Sequence, residues 1–123
     1  MSELFDFGDG YGLVSAHRHP NGGGWVAETA TVADSVYVGP HALVYGYAQV
    51  FGNAQVSGNA WVSGKAKIYE SAKISGYARV CENAQVSGYA RVYGDALVYG
   101  YAYITSNAWI AGKARVSEGE CHE

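Results

Sequence analysis

Every even-numbered residue from Gly24 to Val116 obeys a three-step cycle of small, aliphatic and turn-forming side chains. The unit is six residues long, as in Ala48-Gln49-Val50-Phe51-Gly52-Asn53. All sixteen aliphatic slots hold Val or Ile, and fourteen of the sixteen small slots before them hold Ala. The slot two residues after the aliphatic one is Gly nine times, from Gly46 to Gly112. Glu28, Asp34, Pro40, Glu70, Glu82, Ser106 and Glu118 occupy it elsewhere. Alternation with period two sends successive side chains to opposite faces of a strand. On a helix it would spread the aliphatic residues around the whole cylinder. Ala and Val therefore point inward, and Gly sits where the backbone bends without a Cβ. A fixed hexapeptide repeat predicts an all-β, single-stranded parallel β-helix in which equivalent strands stack coil on coil.

The run Val56-Ser57-Gly58-Asn59-Ala60-Trp61-Val62 resembles the hexapeptide-repeat proteins, a family that includes acyltransferase-like repeat proteins. The resemblance covers residues 25–117. One departure is that the family often places Gly or Asp directly after the aliphatic residue, whereas here Gly comes one position later. The resemblance implies a left-handed winding with three hexapeptides, about 18 residues, per triangular coil. The sixteen units then give about five coils. The period alone leaves a right-handed path open, since parallel crossovers are normally right-handed.

Residues 1–24 precede the repeat and read as an N-terminal capping segment, because open solenoid ends need covering. Leu4, Phe5, Phe7, Leu13 and Val14 are apolar enough to cover the first coil, and residues 17–24 read as an irregular loop. Residues 118–123 form a polar tail. With Ser117 they make a thin lid, so the last coil is capped by these residues or covered by another molecule.

A chain of 123 residues is one domain. Its net charge of −3 and lack of a basic run speak against nucleic acid as a partner. No apolar stretch is long enough for a membrane span, and the first residues lack a signal-peptide core. The expected location is cytoplasmic. Cys81 and Cys121 are too few for a disulfide framework and read as free thiols, with Cys81 at an outward corner.

The outward, odd-numbered positions carry ten Tyr, together with Phe51, Trp61 and Trp109. Aromatics suit pleated surfaces and stack into ladders, but exposed aromatics also mark interfaces. Spaced by 18, the strand-centre residues fall into three columns. One holds Thr31, Gln49, Lys67, Gln85 and Tyr103. A second holds Tyr37, Gln55, Lys73, Arg91 and Trp109. The third, with Leu43, Trp61, Arg79, Leu97 and Arg115, is the most apolar. The corner after it carries Tyr45, Tyr47, Tyr99 and Tyr101, with Lys65, Cys81 and Asn83 between. Leu43, Trp61, Leu97 and those four Tyr form the candidate interface. A homo-oligomer is expected, a trimer by resemblance or else a dimer, along with a protein partner. Glu70 and Ser106 below Asp34, and Glu82 above Glu118, read as solvated turn residues too far apart to hold a metal.

The resemblance also implies acyl-CoA-dependent acyl transfer, in which a His acts as general base. His41, in Gly39-Pro40-His41-Ala42, is the candidate, and acetyl-CoA or another acyl-CoA the cofactor. Against this, no loop interrupts the repeat between Val26 and Val116, and no C-terminal helix follows. The family's zinc-dependent carbonic anhydrase relatives use three His. Here only His17 and His19 lie close in sequence, with His122 in the tail, so no metal site is expected. The leading expectation is a non-catalytic, self-associating scaffold or protein-binding module, such as a bacterial or phage assembly component or an inhibitor.

Overall fold

In a computed structural model, residues 3–8, 12–117 and 120–121 are described. Strand β1 spans Glu3–Asp6, β2 spans Leu13–Arg18 and β3 spans Trp25–Ala27. From there the chain is a parallel β-solenoid of about five coils. Each hexapeptide contributes one two-residue strand, and three faces result. Face one stacks strands starting at Trp25, Leu43, Trp61, Arg79, Leu97 and Arg115. Face two starts at Thr31, Gln49, Lys67, Gln85 and Tyr103. Face three starts at Tyr37, Gln55, Lys73, Arg91 and Trp109. Every one of these pairings joins residues 18 apart, so the three predicted columns are physical ladders.

The interior follows the repeat. The aliphatic slots from Val38 to Ile104 are 0 % exposed, and the Ala slots from Ala42 to Ala108 are at most 1 % exposed. Burying one Val or Ile side chain stabilises by about 1.5–3 kcal/mol, and here each inward residue packs on its own kind one coil above and below. Corners are bonded coil to coil as well. Asn53 N donates to Glu70 O at 2.8 Å, and Tyr77 N donates to Gly94 O at 2.8 Å.

Gly46, Gly52, Gly58, Gly64, Gly76, Gly88, Gly94, Gly100 and Gly112 all have φ between 62° and 73°. At Gly64 the reason is twofold. The left-handed backbone disfavours a Cβ, and a Cβ there would lie 2.6 Å from Glu82 N of the next coil. Glu70, Glu82 and Ser106 take the same conformation with φ of 59°. The two glutamates are exposed but are more than solvated turn residues. Glu70 Oε1 accepts from Gly88 N at 2.8 Å, and Glu82 Oε1 from Gly100 N at 2.7 Å. Each carboxylate thus ties its turn to the coil below.

The N-terminal segment does not cover the first coil with the expected apolar residues. Strand β1 pairs antiparallel with β2, and β2 pairs antiparallel with β3, so both extend face one in its own plane. Side chains of such strands alternate between the two sides of the sheet. Phe5, Phe7 and Val14 accordingly pack outside the prism with Ala16, Trp25, Ala27, Leu43 and Tyr45, while Leu4 and Leu13 are each 64 % exposed. The end of face three is instead crossed by the loop after β2. Val38 N donates to Asn21 O, Gly24 N donates to Val38 O, and the buried His19 ring places Nε2 2.7 Å from Val36 O. At the other end, Glu120–Cys121 pairs with Tyr103–Ile104, residues 17 apart. Glu120–Cys121, in the tail expected as a polar lid, therefore supplies a further strand to face two, in a register one residue short of the 18-residue coil.

Candidate binding surface

The seven residues expected to form an interface do lie on face one and the corner that follows it, but the fold divides them. Leu43 and Tyr45 are half-buried against the β1–β2 hairpin, and Phe7 stacks on Tyr45 with ring centres 5.0 Å apart. These two are therefore engaged within the chain. Trp61, Leu97 and Tyr99 are half-buried and lie beyond that cluster, whereas Tyr47 and Tyr101 are 65 % and 75 % exposed.

Cations cover the tryptophans. The Arg79 guanidinium lies 4.4 Å from the Trp61 ring centre, Arg18 lies 4.8 Å from Trp25, and Arg91 lies 5.6 Å from Trp109. Such contacts contribute about 0.5–1 kcal/mol at exposed sites. Arg79 and Arg91 sit 18 residues from their partners, so both pairs are legible once the coil length is known. The outward aromatics also stack on face two's exit corner, where Phe51 and Tyr69 lie 5.5 Å apart. Burial pushes the Tyr69 phenol above its ordinary value. Below it, the buried Ser87 hydroxyl donates to Thr105 Oγ1 at 3.1 Å.

Shallow grooves run along the prism. One, about 520 Å³, lies between face one's exit corner and face two. A second, about 350 Å³, is lined by Tyr77, Arg79, Asp95, Ala96, Leu97 and Arg115. A third, about 220 Å³, is lined by Lys73, Ser75, Arg91, Tyr93 and Trp109. Each sets at least one aromatic ring beside at least one cation. The candidate interface contains the Tyr of the first groove but not the amides of face two beside them. The 18-residue columns carried that signal, since Gln49, Lys67 and Gln85 neighbour Tyr47, Lys65 and Asn83.

His41 is exposed at the corner after face three and makes no side-chain hydrogen bond to a described residue. His17 Nδ1 lies 3.0 Å from Glu28 Oε2, and His19 is held at Val36 O, so each has its own partner. His122 lies outside the described residues. Among the described residues, no group of three or more His, Cys, Asp or Glu is placed to hold a metal ion. Cys81 is a half-buried free thiol. Burial pushes its pKa up, Glu82 adds to the rise and Arg79 opposes it. Among the described residues, no helix is long and apolar enough to cross a membrane.

No curated protein and no solved structure matches the chain. Residues 48–64, 54–70 and 90–104 match the family described as YdcK Beta solenoid repeat. The chain is thus similar, over part of its coils, to a β-solenoid repeat, in agreement with the architecture described above.

Proposed function

We propose that this protein is a non-catalytic binding and scaffold module that associates with itself, and with a partner protein, through the lower part of face one. The observation that carries this reading is the in-register column of Trp61, Arg79 and Leu97 beside Tyr99, on a flat face whose strands are all paired. Stacked aromatic and aliphatic side chains on such a face suit a packed interface. Leu43 and Tyr45 would support that face from beneath the hairpin. The unbroken coils supply rigidity, which lowers the ordering cost of association. A left-handed winding, a trimeric or dimeric state, a cytoplasmic setting and a place in a bacterial or phage assembly belong to this proposal. No observation favours the acyl-transfer reading, because among the described residues His41 has no orienting side-chain partner, and it lines none of the grooves described above.

Sedimentation velocity tests the reading. Wild-type protein should sediment as an oligomer, and Trp61→Ser with Leu97→Ser should shift it to monomer while circular dichroism stays unchanged. Monomeric wild-type protein, or an oligomer indifferent to these substitutions, would reject self-association through this face.

A further inference from the structure

Charge is unevenly distributed along the solenoid. Residues 35–117 hold seven of the eight Lys and Arg but only three of the eleven Asp and Glu, a net of +4. Residues 1–34 carry five acids against one Arg, and residues 118–123 carry three acids and no base. Residues 35–117 are therefore basic although the chain is acidic. Two of the three carboxylates in that span, Glu70 and Glu82, are also engaged with backbone amides.

The groove of about 520 Å³ lies in this basic band. Tyr47 and Tyr101 stand at its two ends, three coils and so about 14 Å apart along the axis. Between them lie Lys65 and Lys67, and among the described residues neither ammonium pairs with a carboxylate. Gln49, Asn83 and Gln85 complete the lining. Gln85 Oε1 accepts from the Tyr69 hydroxyl at 3.4 Å. Glu82 rims the same corner, with its carboxylate turned to Gly100 N.

We infer that this groove binds an acidic oligosaccharide, a glycan carrying carboxylate groups. Four features of the groove argue for this class. Tyrosine faces stack on the apolar C–H faces of sugar rings while their hydroxyls stay in water. Primary amides offer both donors and acceptors, which match neighbouring sugar hydroxyls. Two unpaired ammoniums match carboxylates spaced along the chain. The donors recur every coil, about 4.8 Å apart, so an extended polymer meets a repeating floor. A peptide is disfavoured because the strands at Gln49, Lys67 and Gln85 are hydrogen-bonded on both sides, leaving no edge for strand addition. Single-stranded nucleic acid needs a cationic track along its phosphates, and two lysines do not make one.

This inference goes beyond the self-association reading and uses different residues, since Trp61 and Leu97 do not line the groove. The test is calorimetry with a galacturonic acid hexamer, a neutral galactose hexamer, a hexanucleotide of thymidine and a glutamate hexapeptide. Wild-type protein should bind the uronate saturably, at one site per chain and at least tenfold more tightly than the other three. Tyr47→Ala with Tyr101→Ala should weaken uronate binding at least tenfold, while Tyr→Phe at both positions should retain it. Lys65→Gln with Lys67→Gln should abolish the preference for the acidic over the neutral sugar. No saturable uronate binding, equal binding of the hexanucleotide or hexapeptide, or indifference to the Ala and Gln variants would overturn the inference. Trp61→Ser with Leu97→Ser separates the two ideas, because it should dissociate the oligomer and leave uronate binding intact.

Discussion

At the scale of single residues, the corners carry the most telling choices. Glycine at φ near 64° with Glu82 N beneath it leaves no room for a Cβ at position 64. Gly64→Ala should cost about 2 kcal/mol or more, from left-handed strain and displaced backbone. Glu70 already tolerates that conformation and offsets it with the bond from Gly88 N. Glu70→Ala should therefore lose about 1 kcal/mol, and Glu70→Gly should lose less, because it relieves strain as it removes the acceptor. Urea unfolding measures all three, and an Ala variant at position 70 as stable as wild type would show that the carboxylate bond contributes nothing. The sequence marks these sites as exceptions to Gly, but the bond itself depends on which amide lies one coil below.

Cys81 gives a pH-dependent prediction at the same scale. Burial, with Glu82 beside it, favours the protonated thiol in the folded protein. The folded state then holds that proton more tightly than the unfolded chain does. This contribution is fully present below the ordinary thiol pKa of about 8.5 and is lost as pH rises through the higher folded value. In Cys121→Ser protein, iodoacetamide should alkylate Cys81 with a pH midpoint above that ordinary value. A midpoint at or below it would show that the thiol is neither desolvated nor repelled by Glu82.

At the scale of elements, the β1–β2 hairpin is a satellite of the solenoid with its own apolar cluster. Phe7 is 2 % exposed and stacks on Tyr45, while Phe5 stacks on Trp25 with ring centres 4.6 Å apart. None of these rings enters the prism core. Phe7→Ala should therefore speed hydrogen exchange at β1 and β2 amides while leaving the amides of the coils from Trp61 onward protected. Uniform loss of protection would mean that hairpin and coils unfold as one unit. The apolar residues of this segment were legible in the sequence. Their side of the sheet was not, because it depends on β2 joining β3 edge to edge and not crossing the open end.

At the scale of the whole molecule, stability is a sum over neighbouring coils, and the 18-residue register sets where a cut is tolerated. Removing residues 65–82, one full coil, joins Gly64 to Asn83 and preserves both the inward cycle and the outward columns. That protein should fold with a lower melting temperature. Removing residues 65–81 shifts every following side chain to the opposite face and should give an unfolded or aggregated product by circular dichroism. A folded 17-residue deletion would contradict this register, although the chain itself accepts one such slip at its final strand, where a single two-residue pairing is at stake.

The sequence by itself determined the solenoid core, because a strict alternation of Ala, Val and turn former admits only an inward ladder repeated at fixed spacing. The outward columns needed one thing more, the three-unit coil, which the resemblance implied and which the strand pairing of residues 18 apart supplies. Tertiary structure alone decided how those columns are used. The hairpin occupies Leu43 and Tyr45, arginines lie over the tryptophans, and glutamates reach amides in the next coil. The physical reason is that the core obeys a local, periodic rule, whereas the surface depends on the directions of long side chains and on where a non-repeating segment docks.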